Sequence, residues 1–487
     1  MKPETSLSQR VTRGGMWVFV LRGVEKVLGL VRLVILARLL APSDFGLFGI
    51  ALLAMSTLET FSQTGFQTAL IQRKEDITHY LDTAWTVSII RGVILFIIIF
   101  LSAPHVSLFF NTPEASIIIQ IIGISLILGG FSNIGTLYFQ KELEFNKQFV
   151  YRLTSSLVEF ITVVSAALIF KNVWAFVFGM LAGSLTGLIA SYVIHPYRPH
   201  FRLDLGKIRE LFVFGRWVFW STILIFLITQ GDDVFVGKVL GATMLGFYQM
   251  AYRISNMPTT EITQVISQVT FPAYSKMQDD LPRLREAYLR VLQLTAFLSF
   301  PIAGFIFIFA SDFTRIFLGD KWMLMVSAMQ LLACAGLVRS IAASSGFIFY
   351  AVGKPKIDTT MQIIRFFVLI ALIYPLTMKL EILGTSIAVF VSIFVSCIGF
   401  IIMTIRITKC STKKFSQILI FPFINVAVVL VLVSIFKISI KTGIWEFIAL
   451  ACLCFLSYFI ITYLLDKFFN YGMQSLIKES VQSFRTS

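Results

Sequence analysis

The sequence predicts an all-α polytopic membrane protein with about fourteen transmembrane helices, and three observations lead there. Apolar residues make up 57% of the chain and charged residues 14%, whereas soluble domains contain about 25% charged residues. Apolar blocks of about 20 residues recur from end to end, which is the length that crosses a hydrocarbon core about 30 Å thick. The chain also repeats itself at an offset of 200 residues, which predicts two related halves.

The distribution of basic residues sets the topology of the predicted spans. The first apolar block is too long for a signal peptide and lacks a cleavage site, so we expect it to remain as the first span. With the N-terminus in the cytoplasm, cytoplasmic segments carry 25 Lys and Arg residues and outside loops carry six. This bias satisfies the positive-inside rule and places both termini in the cytoplasm. The spans are 14–40, 44–72, 83–103, 115–139, 149–170, 174–194, 211–240, 244–272, 288–310, 324–352, 358–377, 382–405, 417–436 and 444–465.

The internal repeat predicts how the spans are grouped. Equivalent helices are offset by six spans, an even number, so the halves run in the same direction, as in transporters built from parallel repeats. We expect an N-lobe over 1–205, a C-lobe over 206–408 and a C-terminal helix pair with its tail over 409–487. Each lobe would contain six helices, and a central cavity would lie between them. The matching residues include Gly15, Trp17, Val18 and Phe19 with Gly215, Trp217, Val218 and Phe219.

Ten Lys and Arg residues lie inside the predicted spans, apart from Arg152 and Arg290, which lie at the cytoplasmic ends of theirs and are counted with the cytoplasmic segments. Each costs about 2.5–3.5 kcal/mol at the centre of a membrane helix, so we expect them in a hydrated cavity. Acidic residues in the spans are fewer, which leaves a cationic excess suited to an anionic ligand. Arg38, Arg216 and Lys238 lie where they can snorkel to an interface. The predicted anion-binding residues are Arg22, Lys26, Arg32, Arg91, Arg253, Arg339 and Arg365.

Polar residues recur at helical spacing in equivalent spans of both halves, which predicts polar faces turned away from lipid. The alternative is that they only hold helices together, at about 0.6 kcal/mol per contact. Asp232 and Asp233 are adjacent acids, which suits ion coupling, since neighbouring carboxylates perturb each other's titration. The structural alternative is that they form ion pairs with Arg32 or Arg38. The predicted cavity-lining residues are Glu25, Glu59, Gln63, Gln230, Asn256 and Gln264.

Several segments resemble the polysaccharide-transporter family of lipid-linked oligosaccharide flippases, which includes the Wzx-type O-antigen and exopolysaccharide translocases. The family is part of the multidrug/oligosaccharidyl-lipid/polysaccharide exporter superfamily. The resemblance implies two lobes around a V-shaped cavity, alternating access, and a glycan repeat unit on a polyprenyl pyrophosphate as substrate. It also implies the cytoplasmic (inner) membrane, a monomer, and a polysaccharide polymerase and chain-length regulator as partners. The segments are LARLLAPSDFGLFGIA (36–51), TGFQTALIQRKED (64–76), FQKELEFNKQF (139–149), DDVFVGKVLGATMLGFYQMAYRI (232–254), FPAYSKMQDDLPRLREAYLRVL (271–292) and YAVGKPK (350–356).

Other functions are less consistent with the sequence. The five Cys and four His residues form no metal-binding pattern, so no cofactor is expected. No phosphate-binding loop of the nucleotide-hydrolysing type occurs, which leaves ion or substrate gradients to drive transport. A glycosyltransferase or polymerase would need a large loop with paired acids, so we expect no enzyme activity. A drug exporter of the same superfamily, which would favour an anionic cavity, and a non-transporting component of a glycan-assembly complex remain as alternatives. The basic charge follows the membrane topology, which argues against nucleic acid.

Overall fold

The computed structural model describes residues 7–62, 70, 77–439, 443–469 and 472. Its main elements are α-helices joined by short turns. The helices are α1 (Leu7–Leu39), α2 (Pro42–Phe61), α3 (Thr78–Phe109), α4 (Ala115–Ile122), α5 (Ile124–Phe131), α6 (Tyr138–Lys141), α7 (Phe145–Phe170), α8 (Trp174–Ile194), α9 (Leu205–Lys276), α10 (Leu281–Phe313), α11 (Val326–Ala351), α12 (Pro355–Thr408), α13 (Thr412–Ser439) and α14 (Ile444–Phe469).

The all-α membrane fold predicted from the sequence is confirmed. Within the described residues, ten helices are long and apolar enough to cross a membrane, or eleven if one bent pair counts as a span. Two of the ten, α9 and α12, are each interrupted by one non-helical residue, Gly241 and Glu381. Both breaks fall between predicted spans, at 240–244 and 377–382. The count of fourteen is therefore an approximation that depends on how broken helices are divided.

Two predicted spans differ from the observed helices. The second was expected over 44–72; α2 ends at Phe61 with Ser62 as its C-cap residue, and 63–69 and 71–72 lie outside the described residues. The fourth was expected as one helix over 115–139, but the chain bends by 74° after Phe131. Asn133 stabilises the bend because its side-chain oxygen accepts a hydrogen bond from the Gly135 amide, which begins a 3₁₀ turn.

Contacts divide the chain into two units, Met1–Gly246 and Phe247–Ser487. In the first unit, α7 and α8 pack closely because three glycines of α8 lie at four-residue spacing. A Cβ on Gly179 would lie 2.6 Å from the Val163 Cβ, and one on Gly187 would lie 3.3 Å from the Ser155 Oγ. Between them, Gly183 faces Glu159. Small residues allow membrane helices to approach in this way.

The first unit also contains a tight crossing between α2 and the part of α9 that begins at residue 242. A Cβ on Gly46 would lie 3.1 Å from the Ala242 Cα, and one on Gly246 would lie 3.0 Å from the Gly46 nitrogen and 3.1 Å from the Pro42 carbonyl carbon. Gly46 and Gly246 are equivalent in the 200-residue repeat, as are Pro42 and Ala242 by position. The crossing therefore joins equivalent ends of two equivalent helices.

In the second unit, the C-terminal helices pack on α10. Lys437 of α13 forms an ion pair with Asp312 and donates a hydrogen bond to the Ile308 carbonyl, at 2.9 Å. Tyr458 of α14 donates to the Phe297 carbonyl at 3.0 Å. This C-terminal helix pair is thus part of the second unit, while the predicted lobe boundaries at 205 and 408 remain predictions.

Candidate functional site

The polar residues of α1 lie on the side of the helix that is turned away from its exposed apolar residues. Val20, Val27 and Val31 have 42%, 61% and 43% exposed surface. At about 100° per residue, they share one face, and the polar residues lie on roughly the opposite face. That polar face also contains the buried residues of the helix. The polar residues are Arg22, Glu25, Lys26 and Arg32, of which Lys26 is exposed and the others are half-buried.

Arg32 forms an ion pair with Glu159 of α7, through one guanidinium nitrogen, Nη1. The carboxylate beside Arg32 belongs to Glu159, and the alternative in which Asp232 or Asp233 pairs with Arg38 stays a prediction. Asp232 is buried and Asp233 is half-buried, and both lie on the first half of α9. Whether they take part in ion coupling stays a prediction.

Glu159 is a residue that sequence analysis did not include in the site. The signal was present, because Gln148, Arg152, Ser155 and Glu159 recur at three- and four-residue spacing on one face of α7. The opposite face carries exposed apolar residues. These are Val150, Leu157, Ile161 and Leu168.

Arg91 of α3 binds the C-terminal end of α2. Its Nε donates to the Ser62 carbonyl at 3.0 Å, and its Nη2 donates to the Glu59 carbonyl at 3.2 Å and to the Ser62 hydroxyl at 2.8 Å. The last carbonyls of a helix lack partners within it and carry partial negative charge. A guanidinium group therefore stabilises this helix end, and the contact brings two predicted site residues, Arg91 and Glu59, together.

Arg339 of α11 and Asn256 of α9 form the second contact between predicted site residues, in the second unit. The Arg339 Nη1 donates to the Asn256 Oδ1 at 2.9 Å, and the guanidinium carbon lies 5.6 Å from the centre of the Tyr252 ring. The neighbouring Ser255 donates to the Met329 carbonyl at 2.7 Å, which joins the same two helices. The Arg339 guanidinium is thus oriented by both a hydrogen bond and a cation–π contact.

The remaining predicted site residues are placed less closely together. Arg253 is exposed on α9, Arg365 is half-buried on α12, and Gln230 is half-buried on α9. Gln63 lies outside the described residues, as does the side chain of Gln264. Across the part of the chain that the structure describes, no group of three or more His, Cys, Asp or Glu side chains could hold a metal ion.

Comparison with known proteins identifies the family. The polysaccharide biosynthesis protein family matches residues 35–327, which is more than half of the chain. The chain belongs to this family. It is 27% identical over 368 residues to the lipopolysaccharide biosynthesis protein WzxC of Escherichia coli K12, with 75% of each chain covered. It is 24% identical over 352 residues to the teichuronic acid biosynthesis protein TuaB of Bacillus subtilis, with 72% of this chain and 73% of TuaB covered.

Solved structures show the same fold. The lipid II flippase MurJ in an inward closed conformation matches with a TM-score of 0.73 at 15% identity, over 92% of this chain and 98% of MurJ. An inward-facing multidrug resistance transporter of the MATE family matches with a TM-score of 0.63 at 17% identity, over 79% of this chain and 95% of that one. These structures show that the fold is shared, the family match confirms the predicted polysaccharide family, and the protein is a multi-pass membrane protein.

Proposed function

We propose that this protein is a flippase that moves polyprenyl-pyrophosphate-linked oligosaccharide repeat units across the cytoplasmic membrane by alternating access. The product would serve synthesis of a surface polysaccharide, such as O-antigen, capsule or exopolysaccharide. The observation that carries the proposal is the polar face of α1, where Arg22, Lys26 and Arg32 lie opposite the exposed apolar residues. Membership of the polysaccharide biosynthesis family and the flippase-like fold support it.

The chemistry of the cargo fits these residues. A pyrophosphate is multiply anionic, and Arg presents a planar fork of N–H donors that matches phosphate oxygens. A glycan cannot cross the hydrocarbon layer unaided, so a polar path between helices must solvate it while the lipid tail stays in the bilayer. We assign the pyrophosphate to the cations of α1, while Arg253, Arg339 and Arg365 remain predicted anion-binding residues of the second unit. Arg91 has a second role, because it binds the end of α2.

The deciding experiment measures leaflet exchange in vesicles that contain the purified protein and a labelled polyprenyl-pyrophosphate glycan. We expect exchange with the wild-type protein and its loss in Arg32→Ala and Arg253→Ala, with the variant proteins still present in the membrane. In cells, both variants should trap lipid-linked glycan on the cytoplasmic leaflet. Normal surface glycan in the variants would contradict the assignment.

The same assay separates the alternatives. A drug exporter of the superfamily would move organic cations and leave the labelled glycan lipid in its original leaflet. A non-transporting component of a glycan-assembly complex would move neither, although surface polysaccharide would still depend on it in cells. We favour the flippase because the cations of α1 suit an anionic cargo.

Ion coupling by Asp232 and Asp233 is part of the proposal. Both acids lie in the first half of α9, and the buried position of Asp232 is one where a change of charge state has a large energetic effect. Exchange by the Asp232→Asn/Asp233→Asn double variant should lose the dependence on pH that the wild-type protein shows. An unchanged dependence would remove the two residues from the coupling mechanism.

A further inference from the structure

The Arg32–Glu159 ion pair engages only part of the guanidinium group. The contact joins the Arg32 Nη1 to the Glu159 Oε1, and the two side chains are 28% and 36% exposed. Among the described residues, no other acceptor contacts the N–H groups on Nε and Nη2 of Arg32. The pair therefore leaves donors accessible on one side of a guanidinium that Glu159 already orients.

The Glu159 side chain also packs against α8 at Gly183. A Cβ on Gly183 would lie 3.0 Å from the Glu159 Cβ and 3.4 Å from its Oε2. A larger residue at position 183 would restrict the carboxylate. Gly183 thus allows the Glu159 side chain to lie against α8 while its Oε1 pairs with Arg32.

The ion pair lies on the polar faces of both helices. Glu159 is opposite the exposed apolar face of α7, and Arg32 is opposite that of α1. An isolated charge in this position would be costly, so each residue needs a partner when no ligand is bound. A partly exposed pair is itself weak, so a more highly charged anion can displace the carboxylate.

We propose that Glu159 is the counter-ion of Arg32 and that it sets anion specificity by competing with the phosphate of the cargo. A pyrophosphate would first bind the accessible N–H groups and then take the position of the carboxylate, which rotates away from Arg32. Anions of lower charge compete less well with Glu159 and remain excluded. Glu159 acts through Arg32 and is therefore a positioning and specificity residue. This inference rests on the proposed function, since it assumes a pyrophosphate-bearing cargo.

The test measures binding of two probes, inorganic pyrophosphate and farnesyl pyrophosphate, to the full-length protein in nanodiscs, with inorganic phosphate as the weak competitor. In Glu159→Gln, affinity for both pyrophosphates should increase about two- to fivefold, the factor that corresponds to the weak pair. Discrimination against inorganic phosphate should fall. Arg32→Gln should lose binding, and Arg32→Gln/Glu159→Gln should bind like Arg32→Gln, because Glu159 has no effect without Arg32.

Two controls separate competition from a structural role. Glu144→Gln removes the Lys147–Glu144 pair at the start of the same helix, at 2.8 Å, and should leave both affinities unchanged. The charge-exchanged Arg32→Glu/Glu159→Arg protein should not bind pyrophosphate if the guanidinium must be at position 32. Recovery of binding in that protein, or loss of affinity in Glu159→Gln as large as in Arg32→Gln, would overturn the inference.

The remaining outcomes are also assigned. If Glu159→Gln is absent from the membrane, Glu159→Asp replaces it, since the shorter carboxylate should weaken the pair and raise affinity in the same direction. If the affinities change as expected but the wild-type protein gives no leaflet exchange of the glycan lipid, the proposed function fails and the counter-ion role stands. If exchange occurs and Glu159→Gln matches the wild type in both affinities, the counter-ion role fails alone.

Discussion

Two equivalent helices of the repeat start alike and end differently. In the first unit α2 begins at Pro42 and ends at Phe61, whereas the helix that starts at residue 242 continues without interruption to Lys276. Their starts cross at Gly46 and Gly246. The longer helix continues its hydrogen-bond ladder past the position equivalent to Phe61, while the last carbonyls of α2 bind Arg91 from α3. The repeat has thus kept the contact at the helix starts and diverged at the other end, where the interior of the membrane makes an unpaired carbonyl costly.

The largest expected effect comes from removing this guanidinium. Arg91→Gln should lower the free energy of unfolding by about 2–3 kcal/mol, because hydrogen bonds to charged groups are lost and carbonyls are left unpaired. Arg91→Lys should recover only part, since an ammonium group cannot reproduce the fork. Thermal unfolding in detergent gives the size, and hydrogen exchange at residues 55–62 gives the location.

A matched control for Arg91 is Arg290→Gln on α10. Arg290 forms an exposed ion pair with Glu286 at 2.9 Å, and pairs of this kind contribute about 0.3–0.5 kcal/mol. Equal losses of unfolding free energy in the two variants, or unchanged hydrogen exchange near Ser62, would contradict the role of Arg91 as a cap of α2. The end of α2 would then not differ in this way from the end of the helix that starts at residue 242.

The shared start of the two helices can be tested with glycine substitutions. Gly46→Ala should destabilise the protein by about 1–3 kcal/mol, since the added methyl group would overlap the Ala242 backbone. Gly29→Ala is the control, because no atom lies within 4 Å of a Cβ at that position. There the substitution should stabilise α1 by about 0.5–1 kcal/mol through helix propensity. A neutral Gly46→Ala in thermal unfolding would mean that the crossing is not tight.

A smaller effect, on transport, is expected where Arg339 contacts Asn256 in the second unit. Asn256→Ala should lower the rate of leaflet exchange about fivefold, which corresponds to about 1 kcal/mol for the lost hydrogen bond to Arg339. Asn256→Asp keeps an acceptor oxygen and should retain more activity than Asn256→Ala. Ser255→Ala removes a neighbouring contact between the same helices and should affect stability more than exchange.

The smallest expected effect is a dependence of stability on pH that comes from His195, the residue that follows α8. Burial, together with the Lys147 ammonium, lowers the pKa of His195, whose ring stacks on Tyr138. The unfolded chain therefore binds this proton more readily than the folded one, and stability falls as pH decreases through the ordinary value of about 6.5. His195→Asn should reduce this dependence, measured as the melting temperature between about pH 5 and 7.5. A fully retained dependence would assign it to another group.

Sequence analysis found most helices, because apolar length and positive residues in loops report directly on membrane crossing. It placed the last residues of α8 correctly and located the breaks at Gly241 and Glu381. It missed the end of α2, since 44–72 is continuously compatible with a helix and the capping group comes from α3. The bend after Phe131 had a local signal in Gly129, Gly130 and Asn133.

The sequence predicted which types of residue form the candidate site, but not which residues contact each other across helices. Helical spacing identified Arg32 as a residue on a polar face, and Arg339 was predicted only as a cation within a span. Spacing within one helix cannot show which residue of another helix lies opposite. Glu159 therefore remained outside the predicted site although its own face is polar. Arg91 illustrates the same limit, because a cation in a span can equally bind an anion or the carbonyls of a helix end.

The crossing of Pro42–Gly46 with 242–246 has an evolutionary consequence. Gly46 meets the backbone of Ala242, and Gly246 meets the backbone of the equivalent residue, Pro42. One surface therefore contacts a copy of itself, which is the geometry of a symmetric dimer interface. An ancestral half-length chain could have formed this contact by pairing with an identical subunit before gene duplication joined the two. Substitutions at either glycine are then constrained by the other, and the two positions should change together among descendants.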